Sequence, residues 1–316
     1  MRSFDISITL NISVRSRPWS PRRLVPGLRQ LIAWCLLAAA GVFFALPVVW
    51  LLLETTRTQA DAVDGSALGF GSLGQVHLNW DVLTQTAGEL GTWVGNSALY
   101  SGSGALIAVA LGIPAGYGLA TFDFVGRRPL LIATMLAMLI PSNALVLPLA
   151  LEAHALHLLT SPLAVILPYG LFPFGVYIAY LYFNTPRIHG LVAAARSDGC
   201  SEWQAFRYVA LPLSVPAVAI VVVLDFIASW TNYFLPWAMY WSYDVTGRFP
   251  VALGIAEQLA AGTTGGGYPL RNLELQTAAP LSVEALLILV SCVPVVAVVV
   301  IAQRWIGSGR LQGVFV

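Results

Sequence analysis

His154 and His157 are the first residues whose type and spacing suggest chemistry: three apart, they could share a helical face and begin a metal site. His77 and His189 lie far away, and the polar edge of a loop is the simpler account of the pair. Cys35, Cys200 and Cys292 show neither a disulfide framework nor metal-ligand spacing. The glycine-rich GTTGGGYP (262–269) lacks the Lys-Ser/Thr of a phosphate-cradling loop and follows no strand, so this chain does not itself hydrolyse ATP. Another polar set sits inside apolar sequence. Asp225, Ser229 and Asn232 lie at i, i+4 and i+7, on one helical face. Asn143 stands between Pro141 and Pro148, where a broken helix would expose carbonyls. Polar groups at membrane depth face the protein interior or a water-filled cavity. They either border the path of a polar solute or tie helices together by hydrogen bonds. For Asp225 and Asn143 both readings stand; for Asn96, near the outer end of the second run with Ser97, the structural one is favoured.

The surrounding elements are those of a membrane protein. Of 316 residues, 58% are hydrophobic and 10% charged, with mean hydropathy +0.77; soluble domains carry about 25% charged residues. The net charge of +1 offers nothing to a nucleic acid. A spanning helix needs about 20 largely apolar residues, and six runs qualify: 31–53, 92–121, 130–150, 162–183, 213–240 and 281–306. The first is longer than a signal-peptide core and follows a 30-residue polar lead, so it reads as a retained span. Thirteen of the 16 arginines fall in segments on the side of the N-terminus, and only Arg57, Arg248 and Arg271 on the other. Both termini are therefore expected inside, with 1–30 and 307–316 as cytoplasmic segments around a six-helix domain, 31–306. The aromatics closing the fifth run (Trp230, Tyr233, Phe234, Trp237, Tyr240, Trp241, Tyr243) match an interfacial belt in composition, with one or two free to line a path.

VAAARSDGCSEWQAFRYVALPLSVP (192–216) interrupts this pattern on the inner side. Ala193, Ala194 and Ala195 make a smooth helix. Asp198-Gly199 breaks it, since glycine accepts a left-handed backbone. Ser201 is a good N-cap. Trp203, Phe206 and Ala210 then share an apolar face, and Pro212 closes the unit. The result is either a docking knob or a plain loop whose aromatics dip into the membrane interface.

The stretch resembles the EAA loop of ABC-importer permeases, with Ala194-Ala195, Asp198-Gly199 and Leu211-Pro212 at the matching places, and is most similar to that of the maltose-type permease subunit of carbohydrate importers. Further segments resemble the same family: NSALYSGSGALIAVALGIPAGYGLATFDFVGRR (96–128), LPYGLFPFGVYIAY (167–180), SWTNYFLP (229–236) and AQRWIGSGRLQGVFV (302–316). Two features depart from it: Ala193 stands where the family has Glu, and the spacer 186–192 is longer and less acidic. The resemblance implies an all-α integral membrane protein of six transmembrane helices with the MetI-like importer fold. It implies a non-enzymatic half-channel, paired with a second permease subunit as a heterodimer in the bacterial inner membrane. Two ATPase subunits would hold the ATP-Mg and grip the loop 185–212 through Ala193, Ala194, Ala195, Asp198, Gly199, Trp203, Phe206 and Pro212. An extracytoplasmic solute-binding protein would deliver a di- or oligosaccharide, with a phosphorylated polyol such as glycerol phosphate as runner-up. A membrane enzyme would need clustered acids, histidines or metal ligands, and a non-transporting sensor would leave the knob unexplained.

Overall fold

The computed structural model describes residues 27–58, 61, 68–86, 90–240, 246–264 and 281–306. The lead 1–26, the tail 307–316, residues 265–269 of the glycine-rich piece, and Trp241 and Tyr243 lie outside the described residues. The chain divides into two units, 1–49 and 50–316. The described part of the first is most of α1 (Leu28–Glu54), a helix apolar enough to span a bilayer.

The second unit holds the last turn of α1, two short 3-10 helices and twelve further helices among the described residues, with no strand there. The twelve begin with α2 (Leu73–Thr86), α3 (Leu90–Thr121), α4 (Arg127–Leu139), α5 (Val146–Ala155), α6 (Leu163–Gly170), α7 (Pro173–Phe183) and α8 (Pro186–Ser197). After these come α9 (Glu202–Leu213), α10 (Val215–Trp230), α11 (Phe234–Tyr240), α12 (Val251–Thr264) and α13 (Leu281–Ile306). Gln30–Glu54, Leu90–Thr121, Leu163–Phe183 and Leu281–Ile306 are each long and apolar enough to cross a membrane. Two bent pairs bring the number to as many as six: Arg127–Leu139 with Ser142–Ala155, at 97°, and Glu202–Leu213 with Val215–Trp230, at 68°.

Neither 130–150 nor 213–240 is one continuous helix, and the first breaks at Pro141, one of the two prolines between which a break was expected. Ile140 precedes Pro141 and is extended (φ −74°, ψ 122°), as the proline ring demands of its neighbour. The chain turns there through the short 3-10 helix Ser142–Leu145, which carries Asn143. The other run ends as α10 at Trp230 and resumes as α11 at Phe234.

The core is built on α3, which packs against α6, α7 and α10. Gly104, Ala108, Gly112, Gly116 and Ala120 recur every four residues along it and are all buried. A Cβ at Gly104 would stand 2.7 Å from the Tyr169 Cβ, and one at Gly116 would stand 2.4 Å from the Ala179 Cβ. Lipid offers no hydrophobic drive between helices, so close backbone packing along such stripes supplies much of the cohesion. At the N-terminal end of α3, the Asn96 side chain donates to the carbonyls of Gly247 (2.9 Å) and Phe249 (3.1 Å). Ser97 Oγ accepts from the Val251 amide at 2.7 Å, and the Tyr100 hydroxyl donates to the Arg248 carbonyl at 2.9 Å. Asn96 and Ser97 thus tie the helix to the segment 247–251, the structural role expected of Asn96. At the other end, Arg127 donates to the carbonyls of Leu119 (2.7 Å) and Ala120 (3.2 Å), two of the acceptors a helix C-terminus leaves free.

Trp230 and Tyr240 depart from the interfacial-belt expectation. Both are buried in the core around Tyr100 and Tyr169. The Trp230 indole donates to the Ser291 carbonyl at 3.0 Å, which removes the need for an interface to satisfy it.

Candidate functional site

The interruption at 192–216 folds as a helical hairpin, α8 and α9. Thr185 precedes α8 and Pro186 starts it, where a missing N–H costs nothing. The helix is therefore longer than its alanine run. Ile188, Val192 and Ala195 form its buried face, against Tyr117 of α3 and Phe183 of α7, while Ala193, Ala194 and Asp198 are exposed. Gly199 is left-handed (φ +88°). Its amide donates to the Arg196 carbonyl and that of Cys200 to the Ala195 carbonyl, both at 3.0 Å. This is the paired-bond ending that a glycine after a helix makes possible.

Ser201 opens α9 with a reciprocal cap: its Oγ accepts from the Gln204 amide at 3.3 Å, and its own amide donates to the Gln204 side chain at 2.8 Å. Arg196 bridges the two helices to Glu202 at 2.8 Å, and that bond holds its guanidinium above the ordinary range. Both side chains reach solvent, so the pair contributes about 0–1 kcal/mol, against about 1 kcal/mol for the cap. The turn is set by Gly199 and the cap more than by charge.

The sequence places Trp203, Phe206 and Ala210 on one face; the structure splits them. Phe206 and Ala210 are buried, whereas Trp203 is 64% exposed. The Phe206 ring lies 4.9 Å from that of Tyr117 and 5.7 Å from that of Trp203, centroid to centroid. Ala205–Ala210 forms a widened π-helical turn ahead of Pro212, which has no N–H to give the preceding turn. Pro212 does not end the helix. It runs to Leu213, whose carbonyl accepts from the Tyr182 hydroxyl, and the bend follows. What remains exposed is Ala193 and Ala194 on α8 and Trp203, Arg207, Tyr208 and Leu211 on α9, with the buried Phe206 ring packed against that of Trp203. Tyr208 was not singled out from sequence because the widened turn shifts the register of this face.

The polar set does not converge. Asp225 and Ser229 share a face as expected, but both are buried. The Ser229 hydroxyl donates to the Asp225 backbone carbonyl at 2.7 Å rather than to its carboxyl. Asp225 Oδ2 has no hydrogen-bond partner and lies 3.7 Å from where a Gly104 Cβ would be. Asn232 Oδ1 accepts from the Leu235 amide at 3.1 Å, capping α11. Asn143 is exposed at the 97° bend. His154 lies in the last turn of α5 and His157 follows the helix with a left-handed backbone (φ 55°), so they share no helical face. No group of three or more His, Cys, Asp or Glu suited to a metal ion occurs among the described residues.

Comparison with known proteins places this arrangement. The family model described as binding-protein-dependent transport system inner membrane component matches residues 108–308, including the hairpin. The arabinooligosaccharides transport system permease protein AraQ of Halalkalibacterium halodurans is 30% identical over 230 residues, covering 72% of this chain and 80% of AraQ. The maltose/maltodextrin transport system permease protein MalG of Vibrio parahaemolyticus is 32% identical, covering 70% of this chain and 71% of MalG. The trehalose transport system permease protein SugB of Mycobacterium tuberculosis is 29% identical, covering 91% and 98%. In fold, the chain is similar to one from a crystal structure of a bacterial ABC transporter involved in the import of the acidic polysaccharide alginate. The TM-score is 0.70 at 18% identity, covering 87% of this chain and 95% of that one.

Proposed function

Because the chain belongs to the family of binding-protein-dependent transport system inner membrane components, we propose that it is a permease subunit of an ATP-driven importer for a di- or oligosaccharide. The α8–α9 hairpin carries the reading. Its inward side is packed into the bundle, and its outward side leaves Ala193, Ala194, Trp203, Arg207 and Tyr208 exposed. In this reading the hairpin is gripped by an ATPase subunit, a second permease completes the path, and an extracytoplasmic binding protein supplies the solute. The sugar class follows from relatives named for arabinooligosaccharides, maltodextrins and trehalose. Asp225, Ser229, Asn232 and Asn143 are proposed to border the path once the bundle opens.

The test is uptake in proteoliposomes by the assembled transporter, with its cognate binding protein and radiolabelled oligosaccharides. ATP-dependent accumulation is expected. Asp225→Ala is expected to lower it while the complex still assembles. If binding protein and transporter ignore every oligosaccharide tried, the sugar assignment fails; if Asp225→Ala imports normally, Asp225 is a packing residue only.

Six spans with both termini in the cytoplasm complete the proposal, each bent pair counting as one. A cysteine at Gly265 is then expected to react with an impermeant maleimide added outside intact cells. Reaction only after the cytoplasm is opened would invert the topology.

A further inference from the structure

We propose that α2 is an interfacial helix, lying in the headgroup layer of the outer leaflet with one edge in lipid. The inference rests on the spanning assignment above. α2 is held at two places. The Asn79 side chain donates to the carbonyls of Thr55 (2.9 Å) and Arg57 (3.3 Å), just past the C-terminal end of α1. Around that anchor Glu54 and Arg57 form a buried ion pair at 3.0 Å, and a Cβ on Gly71 would stand 2.1 Å from the Thr56 carbonyl oxygen, so the chain is pressed closely there. The second anchor is Leu83, fully buried against Val283 and Leu287 in the first turns of α13. Both anchors belong to ends of apolar helices that the proposed topology puts at the outer surface. They fix the level of α2 at that surface.

Asn79 and Leu83, four apart, define the buried face. Leu73 and Trp80, seven apart, share an open edge, with exposures of 71% and 43%, and Phe70 (64%) and Leu68 (56%) precede them. α2 has no Lys or Arg, and Asp81 flanks that edge while Leu78 is exposed on the far side. Tryptophan beside aliphatic side chains at helix-end level is the composition of an interface anchor. α2 covers the first turns of α13 at Val283 and Leu287, and further along that apolar helix Val293, Val296 and Val300 are exposed. Lipid is therefore the occupant that fits, rather than a water-borne protein.

The test uses nitroxide labels at Leu73→Cys, Trp80→Cys, Leu78→Cys and Asp81→Cys. Cys35, Cys200 and Cys292 are changed to alanine, and the assembled transporter is placed in nanodiscs of phosphatidylethanolamine and phosphatidylglycerol. Labels at 73 and 80 are expected to be open to oxygen and shielded from a water-soluble nickel chelate, and those at 78 and 81 the reverse. If 73 and 80 are open to the chelate, whether or not added binding protein then shields them, the edge faces water and the proposal fails. If both reagents are excluded there, a protein covers the edge and the proposal fails equally. Labels at Leu106 and Val293, in mid-span, separate this from the underlying assignment: chelate access at those two would overturn the spans themselves.

Discussion

Gly199→Val is expected to abolish coupled transport while leaving solute capture by the external protein intact. The left-handed backbone at 199 (φ +88°) costs a residue with a Cβ about 1–2 kcal/mol, and a β-branched side chain tolerates it worst. No neighbour lies within 4 Å of the Cβ position, so the penalty is conformational and not steric contact. That penalty matches or exceeds the cap at Ser201 and the exposed Arg196–Glu202 pair, so the angle between α8 and α9 is lost before either can hold it. The exposed faces of α8 and α9 then no longer keep their relative orientation. The assembled complex is assayed for retained ATPase subunits, solute-stimulated hydrolysis and uptake. Either the ATPase is lost or hydrolysis continues without uptake. Gly199→Asn serves as the control, because asparagine visits this backbone region readily, and it is expected to keep most activity. Wild-type retention, stimulation and uptake in Gly199→Val would mean that the hairpin is not the coupling element.

The other large effect is expected at Gly116. Its Cβ would meet the Ala179 Cβ at 2.4 Å, the Tyr180 amide nitrogen at 2.7 Å and the Val176 carbonyl oxygen at 2.8 Å. Two of these are backbone atoms, which cannot rotate away, so α3 and α7 must part along the seam. Overpacking by a single methyl costs about 1–3 kcal/mol, and Gly116→Leu adds three more carbons. We expect Gly116→Ala to lower the thermal midpoint of the detergent-solubilised protein and Gly116→Leu to prevent accumulation of folded material, both read by size-exclusion chromatography after heating. Gly118 lies two residues on in the same helix, and its Cβ would meet only the Phe122 ring, at 3.7 Å. Gly118→Ala is expected to be neutral or slightly stabilising, since alanine suits a helix better by about 0.5–1 kcal/mol. A Gly116→Leu protein with the midpoint of Gly118→Ala would show that the seam is not tightly closed.

The contrast between these two glycines marks what the residues reveal in advance and what they do not. Asp198-Gly199 followed by Ser201 is legible because a helix end and a helix start use local chemistry within a few residues. Both the left-handed glycine and the reciprocal cap appear where expected. The apolar runs are legible for the same kind of reason, since lipid sorts residues by composition. Bends are harder. Ile140-Pro141 turns the chain by 97° although hydropathy continues across it, because the angle depends on what each half packs against. The inward turn of Phe206 depends on Tyr117, 89 positions earlier, and on a widened helical turn that no periodicity count anticipates. The stripe from Gly104 to Ala120 carried its signal in plain spacing, yet its importance lies in how closely the partner helices approach. Asp225 shows the limit most directly: placing it in a helix needed only sequence, but its burial beside Gly104 and Tyr169 is a property of three helices together.

Trp203, Phe206, Tyr117 and Phe183 touch in series, with centroid separations of 5.7, 4.9 and 5.3 Å. Flat rings with two torsions each have little slack to take up. Flexible side chains in the same places would act as a cushion, dissipating a push in rotamer changes near the surface. If the hairpin is the coupling element proposed above, this series is expected to act as a pushrod, carrying a displacement of Trp203 to α3 and α7. Those helices approach closely at Gly116, so such a push is expected to move them together, with the breaks near Pro141, Ser214 and Thr231 as the places left to turn.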